Sequence, residues 1–116
     1  MRGVRISAVC DLDSGRAATV AAAYGARAYG DYKAMLKAEQ LDGVYVCVIP
    51  SAHGTIELDL ARAAMPFYAE KPVHLDLSMC ARVIDALEKS FSINSVGYHW
   101  RYMSSTQTTR KFVAKH

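Results

Sequence analysis

The sequence predicts an α/β fold: a mainly parallel sheet with helices packed against it. Three observations carry that expectation. Short β-rich runs alternate with longer segments of helical periodicity, strand then helix four times over, followed by a last strand. One run, residues 44–49, is unbroken Val-Tyr-Val-Cys-Val-Ile, as suits a parallel strand buried on both faces. Three of the four helical segments open on aspartates, Asp13, Asp31 and Asp76, whose side chains can accept from free backbone N–H groups.

Residues 4–10 alternate apolar and polar, the period of a strand. Asp13 then caps a helix over 14–24, with Ala17, Val20, Ala21 and Tyr24 on one face and Gly25 as a left-handed stop. Residues 26–29 are a short strand. Asp31 caps a second helix with Tyr32, Met35 and Leu36 inward, and Asp42-Gly43 is a turn. The apolar strand over 44–49 is expected to be the most buried, and Pro50 stops it. A helix over 53–64 turns Ile56, Leu60, Ala63 and Ala64 inward. Residues 67–69 form a strand closed by Glu70-Lys71-Pro72. Asp76 opens a helix to 89, striped by Leu77, Cys80, Ala81, Ile84 and Leu87. Residues 93–98 are the last strand, and 103–116 are a polar tail or frayed helix. The expected sheet is a single one, with 4–10 inside and 26–29 at an edge; each crossover is right-handed.

The totals narrow the function. The 116 residues are enough for one domain with one core. A net charge of +3 is mild, and its local excess at Arg101, Arg110, Lys111 and Lys115 reads as a solvated surface rather than a nucleic-acid stripe. Cys10, Cys47 and Cys80 are far apart, odd in number and set in apolar runs, so they read as buried thiols in a reducing compartment. No apolar stretch approaches the roughly 18 residues of a membrane helix. The segment after Met1-Arg2 is too short and polar for a signal peptide, so a cytoplasmic protein without a membrane partner is expected. His53, His74, His99 and His116 have no metal-ligand spacing, and no metal site is expected.

In open parallel sheets, ligands bind beyond the carboxyl ends of the strands. That rule selects Asp11-Leu12-Asp13, the segment from Ile49 to His53, Glu70-Lys71-Pro72 and the segment from Tyr98 to Arg101. A carboxylate at Asp11 can accept both hydrogen bonds of an adenosine ribose, or only help to cap the next helix. Arg16 nearby can hold a 2′-phosphate and so favour NADP. Lys71 stands between an acid and a proline. Its ammonium can stabilise a substrate hydroxyl as it loses its proton, with Glu70 holding it or touching a cofactor; the alternative is a solvated Lys-Pro turn. Pro72 can fix the backbone through a cis bond. His53 lines a cofactor cleft or supports a helix terminus.

Taken together, the stretches AVCDLDSGRAATVAAAYGARAYGDYKAML, DGVYVCVIPSAHGTIELDLARAAMPFYAEKP and INSVGYHWRYM resemble the glucose–fructose oxidoreductase, inositol dehydrogenase and MocA-like (Gfo/Idh/MocA) family over residues 3–103. The resemblance implies a Rossmann-like domain, NAD or NADP as cofactor, and hydride transfer at a sugar or polyol hydroxyl carbon. It implies Lys71 as the active-site lysine and Asp11 as the ribose contact. Ile49, Pro50 and His53 would form a loop beside the nicotinamide ribose, and Glu70, Trp100 and Arg101 further cofactor-cleft positions.

Three departures stand against the family pattern. No GxGxxG-like loop can be made from the seven glycines, so the first strand and its pyrophosphate cradle are expected to be lacking. The substrate domain is expected to be absent. Ala64 stands where the family often has a glycine of positive φ, at a cost of about 1 kcal/mol. The organisation expected is a partial dinucleotide-binding domain over 1–103 and a polar tail over 104–116. Without the central strand, 4–10 and 44–49 either pair directly, leave a gap, or admit another chain. Two functional readings follow. One is an oxidoreductase fragment, inactive alone, with a second copy left open as a partner. The other is a non-catalytic shortened paralogue binding a nucleotide or a protein.

Overall fold

The computed structural model describes residues 3–115. Met1 and Arg2 at the polar start and His116 at the end lie outside the described residues. The chain forms two compact units, residues 1–42 and 43–116. The α/β class, parallel strands and flanking helices hold in both. None of the helices among the described residues is long and apolar enough to cross a membrane.

In the first unit, β1 (Ala8–Cys10) and β2 (Arg27–Tyr29) pair in parallel, Val9 opposite Ala28, with α1 (Ser14–Tyr24) between them in sequence and α2 (Tyr32–Ala38) after. Asp13 accepts from the Arg16 N–H at 3.0 Å, Asp31 from Lys33 and Ala34 N–H groups, and Gly25 ends α1 at φ 62°. Of the expected α1 face, Ala17 and Ala21 are buried, whereas Val20 and Tyr24 are exposed. A sheet of two short strands covers only a narrow strip of helix, and small alanines let the helix approach it closely. Arg27 and Glu39, an unforeseen pair, close the unit. The Arg27 guanidinium grips the buried Glu39 carboxylate with two hydrogen bonds, and the Tyr29 hydroxyl donates to it at 2.6 Å. Those bonds, Arg27 first and Tyr29 second, hold the Glu39 carboxyl below its ordinary range.

In the second unit, β3 (Val44–Val46), β4 (Phe67–Ala69) and β5 (Asn94–Val96) form a parallel sheet with β4 central. Helices α3 (Ile56–Arg62) and α4 (Leu77–Ser90) pack on one another, and α3 packs on β4. Asp76 caps α4 through the Ser78 N–H. The core is Val46, Leu58, Leu60, Ala61, Phe67, Ala69, Val83 and Ala86. The last helix among the described residues is α5 (Ser104–Val113), ten residues long, within the stretch read as a polar tail or frayed helix.

Several expectations need correction. The strands form two sheets, not one, and β1 pairs with β2 alone rather than sitting inside. The most buried strand is β4, not β3. Val46 is buried, but Tyr45, Cys47 and Ile49 are exposed, because β3 is an edge of its sheet with one open face. Cys47 is therefore an exposed thiol, two residues on from Tyr45 and on the same face. On α3 the buried positions are Glu57, Leu58, Leu60 and Ala61. Ile56 is half-buried, and Ala63 and Ala64 are exposed because the helix stops at Arg62. On α4 the covered row runs through Cys80, Val83, Ala86 and Leu87. Leu77, Ala81 and Ile84 stay exposed, since α3 spans only two turns and masks a single row.

Ala64 follows α3 at φ 52°, and the Met65 N–H bonds back to the Leu60 carbonyl at 3.0 Å. This is the left-handed C-terminal position that glycine normally fills. Phe91, which ends α4 at φ 53°, is a second such residue that the sequence did not flag. Ala64→Gly is expected to stabilise the chain by up to about 1 kcal/mol, relief of Cβ crowding outweighing the added freedom of the unfolded glycine. Urea unfolding should show a higher midpoint at unchanged slope; a lower midpoint would mean that the alanine is not strained there.

Candidate functional site

The carboxyl ends of three parallel strands deliver three segments to one end of the second unit's sheet. After β3, the Ile49 carbonyl accepts from the Ala52 N–H at 2.8 Å and Pro50 opens a 3₁₀ turn, Pro50–Ala52. After β4, the Glu70 N–H bonds the Val46 carbonyl at 2.9 Å, and the Lys71 N–H bonds the Glu70 carboxylate at 3.3 Å. After β5, the Gly97 N–H bonds the Ala69 carbonyl at 2.9 Å, and a 3₁₀ turn, His99–Tyr102, follows. Ile49, Pro50, Lys71, Trp100 and Arg101 are exposed at this end, and Glu70 is half-buried. The Lys71–Pro72 bond is cis, and Lys71 makes no salt bridge among the described residues. Trp100 stands edge-on to His99, ring centroids 6.4 Å apart, and the Gln107 side chain donates to the Arg101 carbonyl.

His53 belongs to this end by sequence, but its ring is wholly buried. Its Nδ1 is bound to the Glu57 carboxylate, and its Nε2 has no hydrogen-bond partner among the described residues. Of the two roles that the sequence left open, burial favours support over contact.

In the first unit, Asp11 follows β1. Its carboxylate accepts from the Asp13 N–H at 2.9 Å and pairs with the Arg16 guanidinium at 3.2 Å; Arg16 also reaches Asp13 at 3.7 Å. The Asp13 carboxyl is held below its ordinary range, mainly by the Arg16 N–H. The Cys10 thiol is pushed up by burial and by the Asp31 and Asp11 carboxylates.

Two features escaped the sequence reading. Tyr45 and Tyr68 stack with centroids 4.5 Å apart at 25°, and the Tyr68 hydroxyl lies over Gly97. The available signal was register: both tyrosines are second residues of neighbouring parallel strands. Glu57 is the other, and the signal was its spacing of four from His53.

Residues 1–98 match the model of the oxidoreductase family with an NAD-binding Rossmann fold, Gfo/Idh/MocA. The chain belongs to this family. Inositol 2-dehydrogenase 2 of Saccharopolyspora erythraea is 38% identical over 85 residues, covering 72% of this chain and 25% of that protein. A dehydrogenase structure from Chromobacterium violaceum matches at TM-score 0.83 and 26% identity, covering 98% of this chain and 34% of that one. An oxidoreductase from Agrobacterium radiobacter in complex with NAD+, L-tartaric acid and magnesium matches at TM-score 0.80 and 23% identity, over 98% of this chain and 34% of that one. The chain thus spans about a quarter to a third of the length of these relatives. The family's Rossmann assignment agrees with the parallel strand–helix order.

Proposed function

We propose that this chain is the dinucleotide-binding part of a NAD(P)-dependent oxidoreductase acting at a hydroxyl carbon of a sugar or polyol. The observation that carries the reading is the convergence of Pro50, Glu70-Lys71 and Trp100-Arg101 at the carboxyl end of one parallel sheet, where the fold binds ligands. In it, residues 1–103 form a partial Rossmann domain, and substrate enclosure comes from elsewhere.

Asp11 fits an adenosine ribose. A carboxylate has about four lone-pair sites, and the Asp13 N–H and Arg16 take only two of them. Arg16 is engaged by two carboxylates, so a 2′-phosphate would have to compete for it against Asp11 and Asp13. NAD is therefore favoured over NADP. A bound nicotinamide supplies the hydride acceptor. Lys71 would hold the substrate hydroxyl and stabilise the oxygen as its proton passes to a base of the substrate-binding part and the hydride to the nicotinamide. Glu70 fixes the lysine's backbone through the Lys71 N–H. Ile49, Pro50, Trp100 and Arg101 line the cofactor side and limit water there.

Alone, the chain is expected to turn over no polyol and to bind NAD only in the millimolar range, about −4 kcal/mol, because its sequence contains no GxGxxG cradle for the pyrophosphate charges. Calorimetric titration with NAD and NADP, on the wild-type chain and on Asp11→Ala, tests this. NAD should bind better than NADP and lose its affinity in the variant. Equal binding by Asp11→Ala would remove Asp11 from the site, and a micromolar wild-type constant would show that the pyrophosphate is held without the cradle.

A further inference from the structure

The loop after β3 is held by very little. From Ile49 to His53 it has one internal backbone bond, Ala52 N–H to the Ile49 carbonyl, and Ile49 offers no side-chain cap. Neither Ile49, Pro50, Ser51 nor Ala52 is buried. Its one side-chain anchor among the described residues is His53, whose carbonyl also accepts the Ile56 N–H at 3.0 Å. Gly54, at φ 52°, then turns the chain sharply into α3. His53 is thus the joint between an exposed loop and a packed helix.

Burying two ionisable side chains carries a desolvation penalty that apolar residues of similar size would avoid. His53 and Glu57 are 0% and 1% exposed, deeper than any other polar residue of the chain's described core, and Glu57 stands beside Leu58, Leu60 and Ala61. Their hydrogen bond joins Nδ1 of the ring to the Glu57 carboxylate, and Nε2 has no partner. The ring is therefore oriented from the Nδ1 side alone, and Glu57 is the group that does it.

We propose that Glu57 is a positioning residue. Acting through His53, it fixes the backbone of residues 49–53 and so the way Ile49 and Pro50 face the dinucleotide. The proposal rests on reading that loop as cofactor-facing, but its structural half is independent of that reading. When Glu57 no longer holds the ring, the loop samples other conformations while the sheet and the α3–α4 core keep theirs.

The test compares Glu57→Met, which fills the space without a hydrogen bond, with Glu57→Gln, which keeps one. In the wild-type chain, the ¹⁵N spectrum of His53 should show a hydrogen-bonded Nδ1. In Glu57→Met, the Ala52 and Ile56 amides should exchange roughly tenfold faster while the Glu70 and Gly97 amides do not change. Affinity for NAD, read by shift titration, should fall roughly threefold if the competent loop is populated about a third of the time. Glu57→Gln should recover most of both. Unchanged exchange at Ala52 and Ile56, or equal acceleration at all four amides, would overturn the proposal. If Glu57→Met does not fold, the paired replacement His53→Phe with Glu57→Met leaves neither buried polar side chain of this pair. Fast loop exchange on an intact sheet then supports the proposal, and a loop protected as in wild type refutes it. A loop that responds as expected in a chain that binds no NAD at all would leave Glu57 as the loop's anchor and remove the cofactor reading instead.

Discussion

Lys71→Ala should lower kcat by about 10²- to 10⁴-fold in an enzyme that carries this segment joined to a substrate-binding part, with dinucleotide affinity moved far less. The ammonium contributes most when negative charge grows on the hydroxyl oxygen as its proton leaves, and only interactions stronger in the transition state than in the ground state raise kcat. Position supports this. Lys71 follows the most buried strand, its backbone is tied to the Glu70 carboxylate, and Glu70 is tied in turn to the Val46 carbonyl. The side chain is exposed and engages no carboxylate among the described residues, so its charge is not spent within the fold. Lys71→Arg keeps the charge on a wider, planar group that holds its proton tightly, and should recover little. An unchanged kcat in Lys71→Ala would make the residue a solvated Lys-Pro turn.

What the sequence disclosed was whatever local chemistry determines. Asp13, Asp31 and Asp76 cap helices because each side chain reaches an N–H two or three residues on, whatever the tertiary fold. Gly25 ends α1 at positive φ because it has no Cβ to crowd the backbone, whereas only the family resemblance pointed to Ala64, which periodicity alone places inside a helix. The placement of Ile49, Pro50, Glu70, Lys71, Trp100 and Arg101 at one sheet end follows from parallel topology, but strand order was not legible: residues 4–10 were expected inside one sheet, and β1 pairs with β2 in a sheet of two. Burial was less legible, because periodicity shows which face is apolar and not how much will cover it. The run over 44–49 is as apolar as a central strand, yet β3 is an edge and Tyr45, Cys47 and Ile49 face outward. On α4, two adjacent apolar rows compete, and the short α3 decides between them. Side-chain partnerships were the least legible. Arg27 with Glu39, His53 with Glu57, and Tyr45 with Tyr68 are ordinary residues until the backbone brings them together. For His53, burial and the bond to Glu57 favour the second of its two readings, support of a helix terminus.

The tyrosine stack leads to the second large effect: Gly97→Ala is expected to destabilise the chain by about 1–3 kcal/mol, the usual range for overpacking. A Cβ on Gly97 would fall 2.6 Å from the Tyr68 hydroxyl oxygen, 3.3 Å from the ring carbon that bears it and 3.3 Å from the Glu70 carboxylate. Tyr68 cannot simply swing away, because its ring lies on Tyr45 at 4.5 Å and 25°. Gly97 cannot retreat either without lengthening the bond from its N–H to the Ala69 carbonyl, which joins β5 to the central strand. Tyr68→Phe removes the oxygen in the worst contact and leaves the ring carbon at a tight but tolerable distance. The double variant should therefore recover most of the loss, with a coupling of about 0.5–3 kcal/mol between the two sites. Urea unfolding of the wild-type chain, the two single variants and the double gives that coupling directly. Additive losses would mean that the Tyr68 ring is not fixed against Gly97. The contact with Glu70 survives in the double variant, so its carboxylate should remain displaced from the Lys71 N–H even where stability has returned. Slowed amide exchange at Lys71 in the double variant, relative to wild type, would contradict that displacement.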